Sequence, residues 1–142
     1  MQVGVGSATA VENKRVFIVD SDEIIRAVLQ FMLHDEYEAH ELATPAAAVA
    51  KSVDWKPDLL VLGGATLREL GLAGLPQIRS ELGGVKILLV TEAGENVVAQ
   101  AALDAGVADA LLLQPLTVES VRRTVNRLCG RRTQRTVKLH QI

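Results

Sequence analysis

The stretch Val16-Phe17-Ile18-Val19-Asp20-Ser21-Asp22 places four consecutive apolar residues directly before three polar ones. A short, unbroken apolar run is typical of a strand that is buried on both faces, as strands of parallel sheets are. Polar residues at the carboxyl end of such a strand stand where open α/β sheets carry their binding sites. The stretch therefore predicts a central strand with a candidate site at its end.

Three further apolar runs repeat this pattern, at residues 59–62, 87–90 and 110–113. A weaker strand is expected at Tyr37–Leu42, where acidic residues interrupt the apolar ones, as on a sheet edge. Helical patterns separate the strands, so strand and helix alternate five times along the chain. This alternation predicts an α/β fold of the (βα)5 type, a three-layer sandwich with a five-stranded parallel sheet between two layers of helices.

The helices carry recognisable start and stop signals. Thr44 precedes Pro45–Ser52 as an N-cap, with proline at the first helical position. A helix over Glu95–Ala105 is expected to end at Gly106. The segment Leu72–Leu82 contains a glycine and a proline, so its helix is expected to start late, near Leu75, or to be irregular. Apolar stripes predict the first and last helices, at residues 25, 28, 29 and 32 and at residues 118, 121, 125 and 128.

Length and composition narrow the class of protein. The 142 residues fit one domain, which we divide into an N-terminal extension (1–13), a folded domain (14–129) and a basic C-terminal tail (130–142). One cysteine and three histidines provide neither a disulfide nor a Cys/His zinc cluster. The 3% aromatic content disfavours stacking on nucleic acid bases. No membrane span or signal peptide is expected, and the default location is the cytoplasm.

Charge is distributed unevenly along the chain. Residues 1–121 contain 17 acidic and 8 basic residues, whereas residues 122–142 contain 7 basic and no acidic ones. A basic end on an acidic body is compatible with an interaction tail, with weak and salt-sensitive binding to nucleic acid, or simply with a solvated last helix and chain end. Nucleic acid is the least expected of these partners.

The strand-end segments occur in an order that resembles the receiver domain of two-component response regulators. They are residues 16–22 with Arg26, residues 56–62, residues 86–91, and residues 105–110 leading to Gln114-Pro115. The resemblance covers about residues 14–128. It implies the flavodoxin-like (CheY-like) fold with strand order 2-1-3-4-5 and a cis bond before Pro115.

The resemblance also implies a set of polar positions. Receivers hold Mg²⁺ with an acidic pair, accept a phosphoryl group on an aspartate, bind its oxygens with a hydroxyl and pair its charge with a lysine. The matching positions here are Asp20 with Ser21, then Gly63, Thr91 and Gln114. Hard oxygen ligands suit Mg²⁺, and phosphoryl transfer depends mainly on positioning and charge neutralisation.

Most of this chemistry is missing from the chain. Gly63 has no side-chain atom to carry a phosphoryl group, Gln114 brings no charge, and Leu111 stands at the aromatic switch position. We therefore expect a pseudo-receiver: a protein–protein interaction module without a cofactor or enzymatic activity. An acidic side chain filling the corner at Gly63, beside Thr91, would contradict this interpretation.

Two alternatives concern the remaining carboxylates. Asp20 or Asp22 could accept a phosphoryl group with weakly bound Mg²⁺. For Asp22, however, an N-cap of the first helix, with Glu23 in the first turn, is favoured over metal binding. Thr91 is equally compatible with a retained switch hydroxyl and with an ordinary strand end. Asp58 opens its strand five residues before Gly63 and faces the opposite side, so it is not a candidate acceptor.

The resemblance further implies an interaction face built from the fourth helix, fifth strand and fifth helix. Here that face is expected to present Arg122, Arg123 and Arg127 opposite Asp104, together with Leu111. A histidine kinase, a transcription factor, an output protein or a second copy of the chain would be the partner. The alternative is that these arginines form only a solvated helix surface.

Overall fold

The computed structural model describes residues 14–130. Its strands are β1 (Arg15–Val19), β2 (Glu38–Leu42), β3 (Leu59–Gly63), β4 (Lys86–Glu92) and β5 (Ala110–Gln114). Its helices are α1 (Glu23–Leu33), α2 (Pro45–Ser52), α3 (Gly64–Glu81), α4 (Val97–Asp104) and α5 (Val118–Leu128). A short 3-10 helix, Ala93–Glu95, precedes α4, which therefore starts two residues later than its sequence pattern predicts.

The five strands form one parallel sheet in the order β2-β1-β3-β4-β5. The predicted α/β fold and strand order are confirmed. The register aligns Val19 of β1 with Leu62 of β3, and Gly63 with Val90 of β4. Because the strands are parallel, the residues that follow Val19 meet those that end β3 and β4 at one edge of the sheet.

Alternating strand residues divide the core into two layers, because successive side chains point to opposite faces of a sheet. Phe17, Leu60 and Leu89 pack with residues of α2, α3 and α4 on one face. Ile18 and Val61 pack with residues of α1 and α5 on the other. All five of these side chains are at most 1% exposed, as expected for strands with helices on both sides.

Helix α3 is irregular, as one of the two predicted alternatives states, but its interruption lies before Gly74 and Pro76, and the helix does not start late. It begins at Gly64, directly after β3, and is interrupted at Gly71, where φ is 68° and ψ is 173°. Glycine populates this left-handed φ without the penalty that a Cβ atom imposes. Pro76 lies after the interruption and has no N–H to donate to the carbonyl four residues earlier. The expected start near Leu75 is therefore wrong, because a helical segment forms directly behind Gly63.

Within residues 14–130, no helix combines the length and the apolar content needed to cross a membrane.

Candidate functional site

The polar residues that follow β1 and end β3 share one corner at the carboxyl ends of the parallel strands. Asp20 follows β1 and is 1% exposed, and Gly63 ends the neighbouring strand β3. A Cβ atom built on Gly63 would lie 2.3 Å from Asp20 Cγ and 2.5 Å from Asp20 Oδ2. The Asp20 carboxylate therefore occupies the space in which a side chain of residue 63 would stand. An acidic side chain therefore fills this corner, which the pseudo-receiver interpretation did not expect. It belongs to Asp20, which follows β1 and accepts a hydrogen bond from the Thr66 N–H, so the acceptor position at the end of β3 itself remains without a side chain.

The orientation of Asp20 is set by hydrogen bonds to the start of α3. The backbone N–H of Thr66 donates to Asp20 Oδ1 at 2.8 Å, and the N–H of Ser21 donates to Thr66 Oγ1 at 3.1 Å. Gly63 is the N-cap residue of α3 and has no side chain with which to cap it. Asp20 thus supplies the cap from the adjacent strand, in the role that an N-cap carboxylate normally plays within its own helix. The sequence reasoning missed Thr66, whose signal is a hydroxyl residue three positions after Gly63.

The Asp22 side chain likewise caps a helix, at the start of α1. Its Oδ1 accepts hydrogen bonds from the backbone N–H groups of Ile24 at 2.9 Å and Ile25 at 3.4 Å. Glu23 lies in the first turn, where negative charge is favourable. The expectation that Asp22 caps this helix is confirmed.

A polar cavity of about 180 Å³ opens beside Asp20. Thr91 is one of the residues that line it, and the Oγ1 atom of Thr91 is buried without a hydrogen-bond partner. The Gln114 side chain also lines the cavity, and the bond from Gln114 to Pro115 is cis. Four carboxylates and one guanidinium border the cavity, a formal balance of −3: Asp20, Asp22, Glu92, Glu95 and Arg68.

Three of these charged residues were not singled out from the sequence. Arg68 lies one turn into α3, and Glu92 and Glu95 follow the apolar core of β4. Arg68 forms an ion pair with Glu95 at 2.9 Å. Their only sequence signal is a position shortly after a buried strand, which many surface residues share.

The donor set does not fit Mg²⁺. The Asp20 carboxylate lies over Gly63 and accepts a hydrogen bond from the Thr66 N–H, and the Asp22 carboxylate caps α1. Ser21 stands where receivers carry the second acid of the pair. Within residues 14–130, no three His, Cys, Asp or Glu side chains are grouped closely enough to hold a metal ion. Mg²⁺ in proteins is usually bound through carboxylates and phosphate oxygens. Of the acidic residues that line this cavity, Asp20 and Asp22 each cap a helix and Glu95 is paired with Arg68.

The residues expected to form an interaction face are not all on one surface. Arg123 and Arg127 are exposed, Asp104 accepts a hydrogen bond from Gln100 on its own helix, and Leu111 packs against the core under α4. Arg122 departs from the expectation. Its Nε donates to the carbonyl of Met32 at 2.9 Å, and its guanidinium reaches Asp35 at 3.5 Å and Glu36 at 3.7 Å. It therefore faces the end of α1, because α5 packs beside α1 on the opposite side of the sheet from α4.

Strand order, the sheet-edge site and the cis proline together define a receiver-type α/β domain. Residues 16–126 match the family of the response regulator receiver domain, and the chain belongs to that family. It is therefore a receiver domain of the kind found in two-component signalling systems.

Individual relatives are distant. The chain is 28% identical over 116 residues to the response regulator protein VraR of Staphylococcus aureus, covering 80% of this chain and 55% of VraR. It is 27% identical over 114 residues to the chemotaxis protein CheY of Halobacterium salinarum, covering 80% of this chain and 94% of CheY. The chain thus spans about half the length of VraR and nearly all of CheY.

Among solved structures, the chemotaxis response regulator CheY4 of Vibrio cholerae superposes with a TM-score of 0.67 at 24% identity, covering 82% of this chain and 98% of CheY4. A two-component response regulator from Clostridium difficile gives a TM-score of 0.68 at 22% identity, covering 84% and 98% of the two chains. At these identities the likeness establishes the fold.

Proposed function

We propose that this receiver domain signals without accepting a phosphoryl group and acts as a protein–protein interaction module. The observation that carries the proposal is the shared space of Asp20 and Gly63. The strand position from which receivers present their acceptor carries no side chain, and the neighbouring aspartate has moved into its place as a helix cap.

Three features of the cavity support this proposal. Gln114 leaves the strand end without the positive charge that would pair with a phosphoryl group. The formal balance of −3 around the cavity opposes the entry of an anion. The carboxylates are arranged in a way that does not fit Mg²⁺, which phosphoryl transfer relies on for charge neutralisation.

A second candidate function rests on the same corner. Asp20 stands where the acceptor of a receiver would stand, so phosphorylation of Asp20 is the alternative that the geometry favours next. The 1% exposure of Asp20 weighs against it, because the attacking oxygen must be able to reach phosphorus. The Thr66 N–H bond to Oδ1 further fixes the orientation of this carboxylate over Gly63.

Beryllofluoride with Mg²⁺ tests the proposal, since this complex imitates an aspartyl phosphate. We expect no bound fluoride signal in ¹⁹F NMR spectra and no shift of the Thr91 amide. A bound signal that disappears in Asp20→Asn would overturn the proposal and establish the second candidate.

The interaction role has its own test. Immobilised full-length chain should retain the same partner with and without acetyl phosphate and Mg²⁺. A partner that is retained only when the phosphodonor is present would contradict signalling that is independent of phosphorylation.

A further inference from the structure

A groove of about 500 Å³ runs between α2 and α3, on the face of the sheet opposite α5. Its walls are helix faces whose residues are spaced four apart, Ala46 and Ala50 on α2 and Leu70, Gly74 and Ile78 on α3. It shares no lining residue with the polar cavity beside Asp20. The groove is therefore a second, separate concave surface, and it is largely apolar.

Helix α2 is apolar on its outer side as well as on its inner side. Ala48 is buried against the sheet, yet Ala46 and Ala50 are exposed, and Val53 directly after the helix is 81% exposed. Positions 46, 50 and 53 have the spacing of one helix face. Surface helices normally turn polar residues toward water, and a helix that is apolar all round is normally covered. The outer face of α2 therefore has the composition of a contact surface.

Small residues leave room in the groove for a further helix. Ala46 and Ala50 form one wall, and Gly74 lies in the other. A Cβ atom on Gly74 would lie 3.2 Å from the Leu70 side chain, so the missing side chain lets Leu70 lie against α3 itself. Because the distance between packed helices depends on the size of the facing side chains, a helix can approach these walls closely.

The groove contains one acid without an ionic partner. Glu81 is the only charged residue in the lining, and its carboxylate accepts a hydrogen bond from Gln77 at 3.3 Å. Within residues 14–130, no ion pair involves Glu81. A helix that fits the groove should therefore carry small apolar residues at helical spacing and a basic residue beside them.

Helix α2 of a second copy has this composition. It presents the exposed alanines and Val53, and its one charged residue is Lys51, which takes part in no ion pair in the described part of the chain. Position 51 lies about 160° around the helix from position 49 of the groove wall, so Lys51 is on the flank of α2 away from its own groove. Lys51 and Glu81 both stand near the last residue of their helices, which end before the parallel strands β3 and β4.

We propose that two copies of this chain associate through this face, with α2 of each copy in the groove between α2 and α3 of the other and Lys51 of each copy paired with Glu81 of the other. A two-fold axis parallel to the groove produces both contacts at once, because it exchanges the flanks of α2 and keeps the helix ends at one height. This inference rests on the proposed function, since it names a second copy of the chain as a partner of the interaction module.

The size of the surface sets the strength of the association. The groove and the outer face of α2 supply roughly ten residues a side, whereas standard protein interfaces have about 20–30. The dimer is therefore weak and forms reversibly as the protein concentration rises.

Sedimentation equilibrium of the full-length chain, from about 10 to 500 µM, tests the inference. We expect a reversible monomer–dimer equilibrium that needs no phosphodonor. Lys51→Glu and Glu81→Lys should each weaken the dimer about fivefold or more, because the two-fold axis repeats the pair, and the two reversals together should recover most of the loss. Ala50→Gln keeps a good helix former but places a larger polar side chain in the contact, so it should also weaken the dimer.

The control variants lie on α5, across the sheet from the groove. Glu119→Lys reverses a charge on a side chain that is 85% exposed, and Arg127→Glu reverses an exposed one, so neither should change the association. A dimer that is lost in these variants but kept in Lys51→Glu and Glu81→Lys would use α5 and would overturn the inference. Failure of the double reversal to recover association would equally exclude the Lys51–Glu81 pair.

Two outcomes separate this inference from the proposed function. A chain that stays monomeric at every concentration, with and without acetyl phosphate and Mg²⁺, removes the dimer and leaves the proposed function in place. A dimer that forms only when acetyl phosphate and Mg²⁺ are present overturns both, since association would then depend on phosphorylation.

Discussion

The Asp20 carboxylate lies over Gly63, so close that a single methyl group on residue 63 would come within 2.3 Å of Asp20 Cγ. The two residues are 43 positions apart in sequence and are brought together by the parallel pairing of β1 and β3. The absence of a side chain at one position and the conformation of the carboxylate at the other are therefore one structural feature.

Replacing Gly63 should reveal this coupling. Gly63→Ala is expected to destabilise the fold by about 1–3 kcal/mol, because the new methyl group overlaps Asp20 in a closely packed corner. The measurement is the free energy of unfolding in urea.

Two further variants complete this experiment. Gly94→Ala is the matched control, since a Cβ atom there meets nothing within 4 Å and should leave stability nearly unchanged. Adding Asp20→Ala to Gly63→Ala should recover part of the loss that the two single variants predict together. Strict additivity would contradict direct contact between the two residues.

Asp20 should act mainly through its hydrogen bond to α3. Asp20→Asn keeps an oxygen that can accept from the Thr66 N–H, whereas Asp20→Ala removes it and leaves a buried donor unpaired. The alanine variant should lose about 1–2 kcal/mol more than the asparagine variant in chemical denaturation. Equal losses in the two variants would show that the helix cap is not what Asp20 contributes.

Arg122 is expected to join α5 to the end of α1. Arg122→Gln removes the donor to the Met32 carbonyl and both acidic contacts, so we expect a loss of about 1–2 kcal/mol in unfolding free energy. Arg123→Gln is the matched control on the next residue. Arg123 has a 63% exposed side chain and lies 3.9 Å from Glu119, so its loss should be close to zero. Similar effects of the two substitutions would refute the assigned role.

Acidic pH should weaken the side-chain contact between β1 and the edge strand β2. The Arg15 side chain donates to Glu38 at 2.7 Å and, ahead of the smaller contribution from His40, holds the pKa of the Glu38 carboxyl below its ordinary value of 4.5. A carboxyl whose pKa is lower in the folded state stabilises the fold above its unfolded pKa, and this stabilisation disappears as pH falls through the folded value.

Unfolding free energies measured from pH 6 down to pH 3 should therefore fall less steeply in Glu38→Gln than in the unaltered chain. Glu69→Gln is the control for removing an exposed acid. An unchanged pH dependence in Glu38→Gln would exclude this contribution.

The sequence was sufficient to predict the fold and some of the residues at the candidate site. Unbroken apolar runs such as Leu59–Leu62 and strand-end residues such as Asp20 predict the sheet and the edge where the site lies. Local signals also predict the caps at Thr44 and Asp22, because a cap depends on residues two or three positions away.

Contacts between distant segments could not be predicted in the same way. The position of Asp20 over Gly63 depends on how β1 and the start of α3 pack, and the bonds through Thr66 form only in that packing. The contact between Arg122 and the end of α1 likewise depends on α1 and α5 lying side by side. The early start of α3 directly after β3 was likewise not predicted, and the interruption of the helix falls at Gly71, not at the Gly74 and Pro76 that the sequence analysis singled out.

The central claim is that this receiver corner does not carry a phosphoryl group. Intact-mass spectrometry of the full-length chain after incubation with acetyl phosphate and Mg²⁺ tests it most directly, with a receiver of known acceptor as positive control. We predict an unchanged mass for this chain while the control gains one phosphoryl group. A gain of one phosphoryl mass that is absent from Asp20→Asn would contradict the account.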